Sequence, residues 1–279
     1  MHAEIKKKIQ TWLNGNYNEA TKAEIRQLLK SNNEDDLTDA FYKDLEFGTG
    51  GLRGIMGAGS NRMNKYTVGM ATQGLSNYLM KCIVGEKKSG SNDPSPLTNH
   101  HSPIIKVAIA YDSRNNSQYF AQVTANVFSS NGFKVYVFES LRPTPELSFA
   151  VRQLGCHSGV VITASHNPKE YNGYKAYWDD GAQIIAPHDK NIINEIMKIK
   201  SIDEIAWENG QTDKLRDIEY LGEKMDNEYL NKILSLSVSR QAIKNQKDLK
   251  IVYTPIHGSG NKLVPQVLKK FGFTNVTVV

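Results

Sequence analysis

Polar side chains in three separate segments could together handle a phosphoryl group. Ser165 follows a short apolar strand, and binding sites gather at the carboxyl ends of strands in open α/β sheets. A second turn, at Asn172 and Gly173, is predicted to bring Lys175 back toward this serine. Arg53 lies in a glycine-dense segment, where its guanidinium could hold phosphate oxygens through two parallel hydrogen bonds. Serine, lysine and arginine in polar loops favour phosphoryl transfer, in which a protein mainly positions groups and neutralises charge.

These residues also have plainer interpretations. Ser165 by itself fits an ordinary turn, since serine, asparagine and proline are common turn residues. Lys175 could carry a proton, act as a fixed charge for phosphate, or simply be solvated. Asp112 and Arg114 could reach the loop that holds Ser165 or form only a local salt bridge. His257 could face the cleft or serve as a turn residue.

The glycine-dense segment does not match the common nucleotide-binding motifs. Six glycines lie within residues 48–59, which indicates tight turns or a close approach of the backbone to another group. No Gly-Lys-Ser/Thr of a P-loop follows, and Arg53 stands where a dinucleotide-binding motif needs its last glycine. Ser165 lacks the flanking glycines of a hydrolase nucleophile elbow, and the histidines lack zinc-site spacing. A serine hydrolase and a structural zinc site are therefore disfavoured.

The composition favours an ordinary cytoplasmic protein. The chain has 279 residues, 39% hydrophobic and 23% charged, with a net charge of +5. Such a balance is typical of globular domains, and it predicts no nucleic-acid partner. No apolar run approaches the roughly 18 residues of a transmembrane helix, and no apolar stretch follows the basic amino terminus as in a secretory signal. Two cysteines, Cys82 and Cys156, cannot form a disulfide framework.

Alternating strands and helices are predicted to position the polar loops. Residues 1–45 show helical periodicity and are interpreted as a packing extension, and the polar segment 85–103 predicts a surface loop. Further helices are predicted at residues 67–82, 117–130, 144–154, 187–199, 227–236 and 261–270, and strands at 104–110, 133–138, 159–163, 249–253 and 274–279. This alternation predicts an α/β fold with a mixed, mostly parallel sheet.

A charged, glycine-punctuated stretch at residues 201–220 predicts a boundary between two domains, 1–215 and 216–279. The second domain would contain a single βαβ unit, which is too small to bury a core of its own. We therefore expect the second domain to be incomplete.

Several segments resemble those of a known family. Residues 163–168 (TASHNP), followed by 171–175 (YNGYK), are similar to the phosphoserine signature of the α-D-phosphohexomutases, which include phosphoglucomutase and phosphomannomutase. Residues 47–54 (FGTGGLRG) resemble the amino-terminal substrate loop of that family. Further similar stretches are 142–145 (RPTP), 179–184 (DDGAQI) and 254–258 (TPIHG), in the family's order.

The resemblance implies a sheet sandwiched by helices in the first domain and part of a second, similar domain. Ser165 would be the phosphorylated residue that donates a phosphoryl group and later recovers one, and its phosphate would bind Mg²⁺. Lys175 and Arg53 would serve acid/base work and stabilise the leaving oxygen. The residues that would contact substrate are Thr49, Gly50, Arg53, His166, Asn167, Lys175 and His257.

The implied activity is reversible phosphoryl transfer between the 1- and 6-positions of a hexose phosphate through a bisphosphorylated sugar. The family's Asp-x-Asp-x-Asp metal loop does not occur in these 279 residues, so we expect the chain alone to have little or no mutase activity. Phosphomannomutase, phosphopentomutase and phosphoglucosamine mutase activities remain open, as do a phosphatase and a catalytically silent binding module. The partners expected are hexose phosphates and bisphosphates, without nucleic acid or membrane, and the oligomeric state is left open.

Overall fold

The computed structural model describes residues 2–31, 34–89, 103–207 and 217–279. Its helices are α1 (Ala3–Asn14), α2 (Glu19–Lys30), α3 (Glu34–Phe41), α4 (Lys65–Ser89), α5 (Ser117–Ser130), α6 (Thr144–Gln153), α7 (His188–Lys198), α8 (Glu223–Ser235), α9 (Arg240–Asn245) and α10 (Leu263–Phe271). Its strands are β1 (Gly51–Ile55), β2 (Lys106–Tyr111), β3 (Lys134–Phe138), β4 (Ser158–Ile162), β5 (Tyr171–Trp178), β6 (Ile218–Leu221), β7 (Ile251–Tyr253) and β8 (Val276–Val278). The predicted boundary between residues 215 and 216 lies outside the described residues and stays a prediction.

Six strands form the central sheet, in the order β1-β5-β4-β2-β3-β6. Strands β4, β2, β3 and β6 run parallel, whereas β5 and β1 are antiparallel to their neighbours at one edge. Every residue of β4 is buried, because α4, α5 and α7 cover one face of the sheet while α6 and α8 cover the other. The predicted α/β fold, with a mixed, mostly parallel sheet between helices, is confirmed.

Strand β5 corrects the interpretation of Asn172 and Gly173 as a turn. Both lie within the strand, and Gly173 pairs with Arg53 of β1. A Cβ on Gly173 would lie 2.5 Å from the Thr163 carbonyl oxygen and 2.9 Å from that of Leu52, so this glycine permits close strand packing. Asn172 is buried and donates from its amide to the backbone oxygen of residue 115. The chain reverses earlier, at residues 163–170.

Other element boundaries also differ from the predictions. The sequence predicts Thr144 as the cap of α6 with Pro145 at its first position, but the helix begins at Thr144, with Pro143 in extended conformation before it. Residues 85–89 belong to α4 and not to a loop, because the first proline that could break the helix comes only at residue 94. Strands β1 and β6 and helix α9 were not predicted, since elements of four to six residues show little periodicity. The remainder of the predicted surface loop, residues 90–102, lies outside the described residues.

The amino-terminal helices α1 to α3 pack against α4 through an aromatic cluster. Trp12 stacks on Tyr17 with ring centroids 4.2 Å apart and meets Phe41 and Tyr66 edge-on. Ile25 is fully buried beside them. The predicted helical extension is therefore held by its own apolar core against α4.

The six-stranded sheet and the helices packed on it form the first unit. The second unit consists of β7, β8, α9 and α10, and α8 connects the two units. Strands β7 and β8 form a parallel pair, as expected for a βαβ unit. Across all described residues, no helix combines the length and apolar character needed to cross a membrane.

A buried ion cluster joins the two units. The Arg142 guanidinium donates to both carboxyl oxygens of Asp226 in α8, at 2.7 and 3.0 Å. Lys262, just before α10, lies 3.0 Å from the same carboxylate. Burial by itself would raise the pKa of Asp226, but hydrogen bonds from the two cations lower it below its usual value. The cluster thus ties α8 and α10 to the segment before α6.

Glu146 lies fully buried at the edge of this cluster, with Oε2 3.7 Å from Nε of Arg142. Burial and the neighbouring Asp226 carboxylate together raise the pKa of Glu146 to about 8, against a smaller lowering by Arg142 and Lys262. Asp226 is therefore the ionised carboxylate that accepts two hydrogen bonds from Arg142, and Glu146 is favoured in its protonated form at neutral pH.

Replacing Asp226 with asparagine is expected to destabilise the chain by roughly 3–5 kcal/mol, because it removes the charge that accepts two hydrogen bonds from the buried Arg142. The carboxyl groups that remain, those of Glu139 and Glu146, lie 3.6 and 3.7 Å from the guanidinium. The free energy of unfolding in urea, followed by circular dichroism, measures this loss. Asp44→Asn is the matched control, since its partner Lys8 is 2.8 Å away but the Asp44 side chain is 79% exposed. Equal stabilities of the two variants would contradict a structural role for the cluster.

Replacing Glu146 with glutamine is expected to change the pH dependence of stability. The folded-state pKa is raised, so the wild type loses stability as the pH rises above 4.5, the ordinary value, toward about 8. The glutamine variant cannot ionise, and its stability relative to the wild type should rise by more than about 1 kcal/mol between pH 5 and 8. Urea unfolding across this range measures the effect, with the exposed Glu19→Gln as control. A constant difference between wild type and Glu146→Gln would refute the assignment.

Candidate functional site

Ser165 lies in the serine loop, defined as residues 163–170, which connects β4 to β5 at the carboxyl ends of the parallel strands. Its φ angle is 57°, in the left-handed region, which costs roughly 1–3 kcal/mol for a residue other than glycine. The Ser165 amide donates to Oγ1 of Thr163 at 2.9 Å and so supports this conformation. Ser165 is exposed, and its hydroxyl is accessible to a substrate.

Strands β1 and β5 position the two predicted cations beside the serine loop. Arg53 pairs with Gly173, and Lys175 pairs with Gly51. Because alternate strand residues share a face and paired residues lie side by side, Arg53 and Lys175 occupy the same face of the sheet. Arg53 also reaches the serine loop, where Nη1 donates to Oδ1 of Asn167 at 3.2 Å. The three predicted catalytic residues are thus neighbours.

Two cavities meet at Ser165 and Lys175, which line both. The first has a volume of about 580 Å³ and lies between the serine loop, β1 and the end of α3. Arg53 and Thr49 line it, as predicted for substrate contacts. A group bound at Ser165 would therefore be reached from this side by two cations.

The second cavity, of about 970 Å³, lies between the serine loop and residues 254–258 of the second unit. His166, Asn167 and His257 line it. The backbone oxygen of His257 accepts a hydrogen bond from Oγ of Ser113, so loops from both units meet here. Of the two interpretations left open for His257, the structure favours the one in which it faces the cleft.

Gly50 differs from the other predicted substrate residues, because it lines neither of these two cavities. Its φ is +76°, and a Cβ there would lie 2.4 Å from the side-chain amide of Gln183. Its carbonyl accepts from the amide of Ala176 at 2.9 Å. Gly50 therefore allows the chain to pass beneath Gln183, which itself lines the first cavity.

Sequence reasoning missed several residues of the cavity walls. Gln183 belongs to a stretch that resembles the family, so a signal for it existed. Arg62 and Asp39, joined by a 2.7 Å ion pair, line the first cavity, Arg62 from just after the glycine-dense segment and Asp39 from α3. Lys169 lines the second. The interpretation of the helical extension as packing alone is thus incomplete, and no motif distinguishes Asp39 from other surface acids.

Asp112 and Arg114 form a local salt bridge, and Arg114 also reaches the serine loop, so both arrangements that the sequence left open occur together. Nε of Arg114 lies 3.5 Å from Oδ2 of Asp112, which is the local salt bridge. The same guanidinium also donates to backbone oxygens of the serine loop, including that of Ser165 at 2.7 Å.

The residues near Ser165 do not fit a magnesium site by themselves. Among the described residues, no group of three histidine, cysteine or acidic side chains could hold a metal ion. Asp112 lines the second cavity, but Oδ1 accepts from Ser117 Oγ at 2.7 Å and Oδ2 faces Arg114. Ser165 is then the one predicted ligand, so we derive no chemical step through a metal.

Two proteins named as mutases have amino-acid sequences similar to that of this chain. A probable phosphoribomutase from Schizosaccharomyces pombe is 38% identical over 266 residues, covering 95% of this chain and 42% of the relative. A phosphoglucomutase from Staphylococcus haemolyticus is 36% identical over 239 residues, covering 86% of this chain and 39% of the relative. The chain therefore spans about two fifths of the length of the curated relatives it matches.

Solved structures share the fold. A putative phosphomannomutase from Thermus thermophilus superposes with a TM-score of 0.62 at 21% identity, over 85% of this chain and 46% of that one. Family models described as "Phosphoglucomutase/phosphomannomutase, alpha/beta/alpha domain I" and "domain II" match residues 97–203 and 227–279. These two matches, in order, cover more than half of the chain. With the serine signature at the meeting point of both cavities, they show that the chain belongs to the phosphoglucomutase/phosphomannomutase family.

Proposed function

We propose that this chain is the phosphoryl-transfer part of a phosphosugar mutase in which Ser165 is the phosphoryl carrier. The main support is the position of Ser165, exposed in a left-handed conformation where two cavities meet, with Lys175 lining both. A carrier that serves two positions of one sugar must accept substrate in two orientations, and an open cleft around one hydroxyl suits that task.

The reaction proceeds in two balanced half-reactions. Phosphorylated Ser165 gives its phosphoryl group to the free terminal hydroxyl of a sugar 1-phosphate; the oxygen–phosphorus bond to the serine breaks and a bisphosphorylated sugar forms. The bisphosphate turns over, and the Ser165 oxygen then takes the phosphoryl group from the 1-position, releasing the sugar with its phosphate at the terminal position. The hydroxyl proton lost in each attack is received by the oxygen that leaves phosphorus.

Arg53 and Lys175 supply the charge and the proton transfer. A serine phosphate carries about −1.5 to −2 charges at neutral pH, and the planar guanidinium of Arg53 suits two of its oxygens. Lys175, which stands on the same face of the sheet, donates a proton to the leaving oxygen and is reprotonated by the proton that the attacking hydroxyl loses, so that no net proton is gained or lost. Arg53 therefore stabilises phosphoryl oxygens, and Lys175 is the general acid.

The proposed substrates are hexose phosphates, converted between the 1- and 6-phosphate, with a hexose bisphosphate as the intermediate. A pentose phosphate is the second candidate, because the relative at 38% identity is named a probable phosphoribomutase. Both sugars are smaller than the second cavity of about 970 Å³. A panel of hexose and pentose 1-phosphates, tested on the complete protein that contains this chain, separates the two.

Ser165→Ala in the complete protein is expected to lower isomerisation more than about 1000-fold, as loss of a nucleophile does. In the wild type, mass spectrometry after incubation with a hexose 1,6-bisphosphate should find the phosphate on Ser165. Ser235→Ala, at the exposed end of α8, is the control and should retain activity. Phosphate on another serine, or release of inorganic phosphate without isomerisation by the wild type, would contradict the proposal.

Lys175→Arg tests the assignment of Lys175 as the acid. Arginine keeps the positive charge but does not release its proton, so kcat should fall about 100-fold or more, nearly as far as in Lys175→Met. Lys190→Met on α7 is the control, since Lys190 is exposed and lines neither described cavity. Near-normal turnover of Lys175→Arg together with a slow Lys175→Met would show that Lys175 is only a fixed charge.

A further inference from the structure

Arg114 binds three backbone oxygens of the serine loop and a fourth at the first residue of β5. Its Nη2 donates to the carbonyl oxygens of Ser165, at 2.7 Å, and Asn167. Its Nη1 donates to those of Pro168, at 2.9 Å, and Tyr171, at 3.1 Å. One side chain thus holds four acceptors that lie within seven consecutive residues.

Asp112 fixes the orientation of this guanidinium. Its Oδ2 lies 3.5 Å from Nε of Arg114, and its Oδ1 accepts from the Arg114 backbone amide at 3.0 Å. The hydroxyl of Ser117 donates to the same Oδ1 at 2.7 Å. The side chains of Arg114 and Asp112 are 12% and 16% exposed, so the pair is largely covered by protein.

These contacts leave Arg114 no donor for a substrate. A guanidinium has five N–H groups; four are engaged by backbone oxygens of the serine loop and of Tyr171, and the Nε–H faces Asp112. Arg53 differs, because its one side-chain hydrogen bond within the described residues is to Asn167. Arg114 lines the second cavity, yet its hydrogen-bonding capacity is directed into the loop.

We propose that Arg114 is a positioning residue that holds the serine loop in the conformation required for phosphoryl transfer; this rests on the proposed function of Ser165. By holding the Ser165 and Asn167 carbonyls, the guanidinium keeps their negative ends away from a phosphate on the serine oxygen. It also maintains the left-handed conformation of Ser165 that exposes the hydroxyl. Lysine cannot replace it, since an ammonium has three donors and no planar fork.

Arg114→Lys in the complete protein tests this role. We expect kcat to fall on the order of 100-fold, because a displacement of about 1 Å at the reacting atom has that effect. We expect KM to change little, since no donor of Arg114 remains for the substrate. Hydrogen–deuterium exchange should become faster at the amides of residues 163–170 and stay unchanged in β2 and β3.

Two further variants complete the design. Arg152→Lys is the matched control, because Arg152 also donates to a hydroxyl and a carbonyl, Ser148 Oγ at 2.8 Å and Asp180 O at 3.3 Å, but lines neither cavity. It should keep wild-type kcat. Asp112→Asn, which leaves the guanidinium in place, should show a smaller fall in kcat with the same pattern of hydrogen–deuterium exchange. This variant replaces Arg114→Lys as the test if Arg114→Lys does not fold.

The outcomes separate the positioning role from the alternatives. Wild-type kcat and unchanged exchange in Arg114→Lys would overturn the proposal, and so would a raised KM with unchanged kcat, which would mean direct substrate binding. If the wild-type protein isomerises no sugar phosphate, the proposed function of Ser165 fails. In that case the exchange of residues 163–170 still decides whether Arg114 holds the loop, and unchanged exchange would overturn that part as well.

Discussion

A phosphate on Ser165, as proposed, would constrain the backbone around that serine through its charge. A group with nearly two negative charges repels any carbonyl oxygen turned toward it, and the serine loop has several carbonyls within reach. Three carbonyls of the loop, and that of Tyr171 at the start of β5, are hydrogen-bonded to the Arg114 guanidinium, while Ser165 adopts a left-handed conformation. Ser165 also lines the first cavity together with Arg53 and Lys175, the cations of β1 and β5.

The antiparallel edge of the sheet brings those cations to the serine. Strand β5 returns directly beside β4, so Lys175 lies opposite Val161, close to where the serine loop begins. Strand β1 then adds Arg53 on the outer side of β5. This packing requires glycines: a Cβ on Gly51 would lie 1.9 Å from the carbonyl oxygen of Tyr174. Gly51 therefore serves strand packing, whereas the phosphate contacts proposed for this segment come from the Arg53 side chain.

Strands β2, β3 and β4 could be predicted from sequence because they are largely apolar runs, of which β4 is fully buried. Strand β6, also parallel, has only four residues and was not predicted. Strand β5 could not be predicted either, since Asn172 and Gly173 are typical turn residues and their strand conformation depends on contacts made across the sheet. The sequence motifs predicted Ser165, Lys175 and Arg53 as site residues, and the structure places all three around one cavity, while the role of Arg114 was left open. Its role depends on carbonyl groups, which every residue has, so no pattern of side chains could reveal it.

One wall of the second cavity is formed by residues far from Ser165 in sequence, and its position depends on the buried ion cluster around Arg142. Residues 254–258 belong to the second unit, which is tied to the first through Asp226 and Lys262 around the buried Arg142. Arg142 opens the RPTP stretch and also lines the cavity, so one residue connects the ion cluster to the cleft. Because a buried arginine is stable only with its counterion in place, any displacement of α8 would break the cluster. The position of His257 opposite the serine loop therefore depends on the buried Asp226 carboxylate, which lines neither of the two cavities.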